Sequence, residues 1–555
     1  VKHRDTVVIA DRLAHHRVTL DAARHSRHGR RVTTLAGLAA RLAGSFTSVA
    51  DDIAVRRALS PIPQDELTTL KGVADLPGFP RAAANTLRSV WNADLDLGKL
   101  AAAHGGRWQE IAALERNALD RLSPGVFTPR GVVDAAVDRA HLAPAITGDV
   151  TLDGLDHVPP VYRRLLEELA QHVAVRWLGP PGGASTPVPE GVQFEPVDGA
   201  SPQLSRVECA DPQHEVVEAF RWARALLASG EATPDQIGIA AASTESYEDA
   251  VLALAEESNL PVHAGRGIPA LSGRDGQVVA ALADDLLRGL DRVRVRRFVS
   301  LAKTAGSGAP ELVDLPDDWS RVLHRDAPLS NIERWERSLA PHEDDMDPVR
   351  ETLRQLGKDL ARGTEGAAEI GERWLRGRPR LLWRRALDEG PAAAVDVSLD
   401  RLRIDDGVDP ATAILWAPAA MIAGSPRKHV RLLGLASRTW PRRSADDPLL
   451  PKHVLGDVVL HERTLAQTDR AHFATILERS DAQVVLSRAR RGGDGRKLAP
   501  SPLLRGLDTG DEASLMPRRL PEHAFSEGDR RLARPRELEK DEHARSALAT
   551  WRAWQ

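Results

Sequence analysis

The side chains best suited to chemistry or binding are arginines set beside tryptophan, carboxylates at strand ends, and a few hydroxyls. R-W-L-R-G-R-P-R-L-L-W-R-R runs from Arg373 to Arg385. Arginine next to tryptophan suits a phosphate contact combined with base stacking. That marks Arg373, Trp374, Arg376 and Arg378 as a candidate DNA contact. The same residues also fit a plainer arrangement, with Trp374 and Trp383 in a core and the arginines on a solvated face. A second basic run, R-V-R-V-R-R, spans Arg292 to Arg297. Asp153 and Asp156 lie in D-G-L-D, just after a predicted strand. Carboxylates so placed can hold Mg²⁺ and orient an attacking water. A Gly-Leu pair separates these two, so solvated loop carboxylates are the competing description. Thr33 and Thr34 end another predicted strand and suit capping of the helix that starts at Leu35. No stretch reads G-x-x-x-x-G-K-[ST], the loop whose backbone N–H groups and lysine hold phosphates. After Val8–Ala10 comes D-R-L-A-H-H-R, without glycine or lysine. These residues have no ordinary means of holding ATP.

The elements that position these groups come from a chain of 555 residues, long enough for two to four domains. Apolar residues make up 42% and charged residues 28%, an ordinary globular composition. The net charge of −4 means that any DNA contact comes from local patches rather than overall charge. The single cysteine, Cys209, excludes an intrachain disulfide framework and a Cys-ligated zinc or iron–sulfur site within this chain. It ends a predicted buried strand and reads as a core thiol. No run of eighteen apolar residues occurs, and V-K-H-R-D does not start a signal peptide. A cytoplasmic location away from membranes is expected. Val1 stands where a methionine is usual, so either an alternative start codon is translated literally or upstream sequence is missing.

Short β-branched runs alternate with helical periodicity. T-V-V-I-A (Thr6 to Ala10), a helix to about His25, R-V-T-T (Arg31 to Thr34) and a helix over Leu35 to Ala43 predict a parallel α/β unit. A mostly helical stretch follows, with a helix start in L-P-G-F-P-R-A-A-A-N-T-L-R (Leu76 to Arg88). Strand character returns at Val150, then a helix over Val161 to Ala170 and a strand over Ala174 to Leu178. G-P-P-G-G-A-S-T-P-V-P-E-G (Gly179 to Gly191) reads as a linker. A second unit opens with a strand over Arg206 to Ala210 and an amphipathic helix over Asp211 to Leu227. Strands over Gln236 to Ala241 and Asn259 to His263 follow, with a helix over Tyr247 to Glu257 between them. Leu271 to about Gly390 is helical. D-V-S-L and A-I-L-W-A, within Val395 to Ala423, are expected as a strand pair. Two further strands, Val430–Leu435 and Gln483–Ser487, flank a helix over about Glu462 to Arg479. A crossover helix favours parallel pairing, and the loops that leave the two strands carry Arg, Asp and Pro, where ligands bind in open α/β sheets.

The stretch H-V-R-L-L-G-L-A-S-R-T-W-P-R-R, S-A-D-D-P-L-L-P (His429 to Pro451), then T-I-L-E-R-S-D-A-Q-V-V-L-S (Thr475 to Ser487) and D-G-R-K-L-A-P-S-P-L-L (Asp494 to Leu504), resembles the motif V to motif VI region of AddB-type proteins. These are inactivated superfamily 1 helicase subunits of bacterial double-strand-break-processing helicase–nucleases. The resemblance is firm over residues 429–504 and loose over the rest of 5–505. It implies two RecA-like, P-loop NTPase-like domains, each with a helical insertion. Their expected bounds are 1–48 with 146–180, and 204–290 with 394–506. The insertions are 49–145 and 291–393, the linker is 181–203, and 507–555 is a charged linker toward a missing nuclease domain of the PD-(D/E)XK kind. By resemblance Thr33 and Thr34 match the single-strand-contacting motif Ia, Asp153 and Asp156 a degenerate motif II, and Arg479 the arginine of a degenerate motif VI. Arg442 and Arg443, in the W-P-R-R segment, join the DNA-contact candidates. In active motors the motif VI arginine touches the γ-phosphate; without a phosphate loop, Arg479 is expected to be structural or to bind DNA phosphate. The implied function is guiding a DNA strand in double-strand-break repair and recombination without ATP hydrolysis. The implied partners are DNA and an AddA-like helicase–nuclease subunit, and no cofactor is expected within the chain. ATP and Mg²⁺ enter only if a missing region or the partner supplies the site. Two alternatives stay open: part of an ATP-dependent helicase/exonuclease whose Walker A and nuclease motifs lie outside the chain, or an interaction scaffold without DNA affinity.

Overall fold

The computed structural model describes residues 5–44, 46–180, 183–184, 186–197, 199–323, 329–443, 446–461, 463–517, 519, 523–533, 542–543, 545–546 and 549–550. Two parallel sheets carry the molecule. The first contains β1 (Asp5–Val8), β2 (Arg30–Thr33), β3 (Asp149–Asp153), β4 (Val175–Gly179) and β5 (Gln193–Pro196), in the order β2-β1-β3-β4-β5. The second contains β6 (Gln203–Cys209), β7 (Ile237–Ala241), β8 (Val262–Ala264), β9 (Ile414–Pro418), β10 (His429–Leu433), β11 (Gln483–Ala489) and β12 (Ala513–Ser514). Its order is β8-β9-β7-β10-β11-β6-β12. Every neighbouring pair in both sheets runs parallel. β7, β9 and β10 are buried at every position, as strands covered by helices on both faces must be.

Local signals explain the elements. The helix Leu35–Ala43 buries Leu35, Leu38, Ala39 and Leu42 on one face, and the Thr34 side chain accepts from the Gly37 N–H at 3.1 Å. The helix Leu465–Arg479 opens with a capping box between Thr464 and Gln467. Glu462, expected inside that helix, lies outside the described residues. β10 and β11 pair in parallel with this helix crossing over between them.

The helical stretch after Ser48 divides between two cores. Trp91 and Trp108 centre one core of helices, which also takes in Leu449, Leu450 and Leu460 from the segment after β10. The helix Pro129–Val137 instead packs Val132, Val133 and Ala136 into the first sheet's core, so the insertion closes earlier than residue 145. The second insertion has a core of its own around Trp335, Trp374 and Trp383. The two insertions meet where Arg56 pairs with Glu389 at 3.2 Å and Arg57 pairs with Asp388.

Three further expectations are corrected. D-V-S-L belongs to a helix, Val395–Arg401, that buries Val395, Ser398 and Leu399; a short apolar run does not distinguish strand from helix by itself. The expected linker 181–203 contains β5, where Phe194 packs edge-on against Trp177 with centroids 5.5 Å apart. A Cβ at Gly179 would overlap the Phe194 ring, so glycine there admits the extra strand. The expected charged linker begins with docked structure. β12 joins β6, Phe525 is buried against Phe220, and Asp529 is buried beside Arg221. Residues 534–541 and 551–555 of that stretch lie outside the described residues. No described helix is long and apolar enough to cross a membrane.

Candidate functional site: the cleft between the sheets

The turn that leaves β3 reaches across to the second sheet. Gly154 has φ +71°, and a Cβ there would stand 2.8 Å from the Gly424 carbonyl oxygen, at the end of the helix Ala419–Gly424. Glycine is needed for both the backbone angle and the close approach. On either side of this contact the two carboxylates of D-G-L-D take cations from both halves of the chain. Asp153 pairs with Arg17 of the helix Arg12–Arg24 at 2.7 Å and with Arg479 at 3.7 Å. Asp156 pairs with His157 at 2.8 Å, Arg463 at 3.1 Å and His472 at 3.4 Å. Burial alone would raise the Asp156 carboxyl, but hydrogen bonds from His157 and His472 outweigh it and hold the group far below the usual carboxylate range. Burial also lowers the Arg479 pKa, which Asp153 opposes.

The cavity beside this network measures 180 Å³ and is lined by Ala10, Asp11, Leu178, Ala423, Thr475 and Arg479, among others. That is below the roughly 300–1,000 Å³ of typical small-molecule sites. Its floor includes the start of the first helix, where Asp11 accepts from the Ala14 N–H at 2.9 Å. A helix N-terminus attracts phosphate through free N–H groups and its dipole; here a carboxylate already occupies that place. Burial raises the Asp11 carboxyl above its ordinary value. The residues present therefore do not fit a nucleoside triphosphate with Mg²⁺: the phosphate cradle carries an acid, and both carboxylates suited to a metal are taken by arginine and histidine.

A larger cavity of 830 Å³ adjoins the network. It lies between the helix Phe79–Asn92, the segment Pro159–Pro160 and residues 446–461 and 463–468, and includes His157, Lys452, His461 and Arg463. The segment after β10 is fixed there by the first insertion. Thr86 donates to Asp447 at 2.8 Å, Arg107 to the Leu449 carbonyl at 3.1 Å, and Trp108 to the Val454 carbonyl at 3.3 Å.

The candidate residues fall in separate places. Asp153, Asp156 and Arg479 meet in the cleft. Thr34 caps its helix, and Thr33 is half-buried at the end of β2. Trp374 is 2% exposed in the second insertion's core and donates to Asp359 at 2.8 Å, so its face is closed to a base. Arg373 lies over that ring at 5.0 Å and pairs with Asp359 at 3.0 Å. Arg376 donates to the carbonyls of Glu372, Arg373 and Leu375. Arg442 is held by the buried Asp469, at 2.7 Å to the side chain and 2.7 Å to the backbone N–H. Arg378 and Arg443 are exposed. Asp11, Arg17, His157, Arg463 and His472 complete the cleft and were not singled out from sequence. His472 and Arg479 stand two turns apart on one helix, which places them on one face; that spacing was a usable signal.

Asp156→Ala leaves Arg463 and His472 in the cleft without their shared carboxylate. The expected loss is about 2–4 kcal/mol, somewhat under the roughly 3–5 kcal/mol of a fully buried pair because the Asp156 side chain is 24% exposed, read as a lower urea midpoint at neutral pH. The depressed Asp156 pKa makes its contribution complete above the unfolded carboxylate value, so it persists through neutral pH and is lost progressively as pH falls below about 4. Compared with known families and curated proteins, the sequence matches no family model and no curated protein.

Proposed function

We propose that this chain is an inactivated two-domain motor of the RecA-like, AddB kind, which holds a DNA strand and leaves nucleotide chemistry to a helicase–nuclease partner. The observation that carries this reading is the pairing of Asp153 with Arg479 across the cleft. In a working motor the carboxylates after the third strand serve Mg²⁺ and water, and the arginine opposite serves the γ-phosphate. In this chain the two groups neutralise one another, with Arg17 beside them. An ion pair in place of the nucleotide ties the two sheets in one arrangement and removes the reason for a phosphate loop. The function then left to the fold is binding: arginines neutralise phosphates and position a strand. The membership of a double-strand-break repair complex and a cytoplasmic location belong to the same proposal.

Arg378 and Arg443 are the best placed of the candidate cations, since Arg373, Arg376 and Arg442 already have protein partners. Replacing both with glutamate is expected to weaken single-stranded DNA binding and to flatten its salt dependence by about 0.7 per lost phosphate contact. Fluorescence anisotropy at two salt concentrations reads both. Unchanged affinity and slope would remove these arginines from the binding surface. The scaffold reading draws support from the same internal pairing of arginines and from the net charge of −4. It requires that the unaltered chain bind no DNA at low salt.

A further inference from the structure

We infer that the basic hairpin leaving β11, residues 490–498, is a contact for the phosphates of a nucleic-acid strand, separate from the closed cleft and from the arginines discussed above. It rests on the strand-binding reading and adds a site to it. β11 begins four residues after Arg479 and ends at Ala489, so the hairpin stands at the far end of a strand about 20 Å long at 3.3 Å per residue. Backbone bonds from Arg490 N–H to the Cys209 carbonyl (2.9 Å) and from Arg491 N–H to the Ala210 carbonyl (3.1 Å) fix its base. The Leu498 N–H closes it on the Arg490 carbonyl at 2.8 Å.

The hairpin holds charge where folding disfavours it. An antiparallel bridge sets Arg491 directly opposite Lys497. Like charges across a strand pair repel. Among the described residues neither has a carboxylate partner: the Arg491 guanidinium donates only to the Gly495 carbonyl, at 2.9 Å. Neighbouring cations are differently placed. Arg488 is taken by Glu512 at 2.8 Å and by Glu208, and Arg496 pairs with Asp494 at 3.4 Å. Arg490 stands 3.8 Å from Glu208. Glu208, Arg488, Arg490, Arg491 and Lys497 line a cavity of 440 Å³. An anion seated there would relieve the Arg491–Lys497 repulsion.

Shape points to a strand rather than a single small anion. The cations occupy three successive rungs, from Arg490 through the Arg491–Lys497 pair to Arg496, about 7 Å of hairpin at 3.4 Å per residue. The tip, Gly492-Gly493-Asp494-Gly495, is nearly bare. Gly495 has φ +78°, and a Cβ on either Gly493 or Gly495 would meet nothing within 4 Å. A polymer can therefore pass the tip without steric obstruction and place more than one phosphate along the rungs.

The test is a titration of labelled oligothymidylate with the full chain and with the double variant Arg491→Ala/Lys497→Ala. The variant is expected to bind on the order of tenfold more weakly, with a salt slope flatter by about 1.4 for two lost phosphate contacts. Its melting temperature should be unchanged or higher, because a repulsive pair has been removed; a merely structural role would lower it and leave the slope alone. If the double variant binds like the unaltered chain while Arg378→Glu/Arg443→Glu binds less, the hairpin assignment fails and the strand-binding reading stands. If the unaltered chain does not bind oligothymidylate at low salt, both fail. If polyglutamate at equal charge displaces the oligonucleotide from the hairpin as well as unlabelled oligonucleotide does, nucleic acid is the wrong partner class.

Discussion

Asp285→Asn is expected to stabilise the helical core around Trp335, Trp374 and Trp383, into which the helix Arg274–Arg288 packs, by about 3 kcal/mol at pH 8 and by much less at pH 5. Asp285 lies on the helix Arg274–Arg288, fully buried, and among the described residues neither carboxylate oxygen has a hydrogen-bond partner. Burial pushes its carboxyl up to about 8, Arg294 opposes the shift, and Asp284 and Asp291 add to it. A raised carboxyl pKa means that the folded chain holds the proton after the unfolded chain has released it. Stability from this group is therefore highest below the unfolded value near pH 4 and falls as pH rises toward about 8. At about 1.4 kcal/mol per unit the ionised form costs about 5 kcal/mol once the folded group begins to titrate. Asparagine keeps the shape and removes the charge, while its buried amide keeps an unsatisfied cost of about 1–3 kcal/mol. Urea unfolding at the two pH values, followed by tryptophan fluorescence, measures the difference. An equal effect at both would mean that Asp285 is not the titrating group.

The second large effect concerns the tail. Asp529→Ala is expected to destabilise the second sheet domain by about 3–5 kcal/mol, the range for stripping one partner from a buried pair. Arg221 and Asp529 are each 4% exposed, with the Arg221 Nε 3.2 Å from both carboxylate oxygens. Arg221 also donates to Glu218 at 2.7 Å, and Arg519 reaches Glu218 at 2.6 Å. Glu218 would be raised by burial, but hydrogen bonds from His214, Arg519 and Arg221 bring its carboxyl down to about 2. Removing residues 508–555 takes away Arg519, Phe525 and Asp529 together, so a greater loss is expected than from Asp529→Ala. The double replacement Arg221→Met/Asp529→Leu should recover much of the loss, because Glu218 gives up Arg221 but keeps Arg519, and no buried charge is left unpaired. A midpoint for Asp529→Ala within about 0.5 kcal/mol of the unaltered chain, the range of an ordinary surface change, would show the tail to be undocked in solution.

The two parallel sheets are legible in the sequence because buried strands announce themselves as β-branched runs separated by crossover helices. T-V-V-I-A, the capped helix at Leu35 and the pair of strands flanking Leu465–Arg479 all fall where expected, within a residue or two. Elements whose identity is decided by packing are not legible there. Gln193–Pro196 is a strand because Phe194 finds Trp177, and the tail docks because Asp529 finds Arg221; neither partner is visible in a local window. Of the two descriptions open for Trp374 and Trp383, the core is the one observed. Asp153 and Arg479 carried a signal separately. Their pairing was not readable, since it depends on how the β3 turn seats against Gly424.

The most direct test of an inactivated strand-binding motor is one titration of labelled single-stranded DNA, with and without saturating Mg-ATP, at low and moderate salt. The expected result is binding that weakens with salt and has the same affinity whether or not nucleotide is present. An affinity that changes with Mg-ATP would mean that the cleft opens to nucleotide and that the Asp153–Arg479 pair is not its resting state. Absence of binding at low salt would contradict the strand-holding role itself.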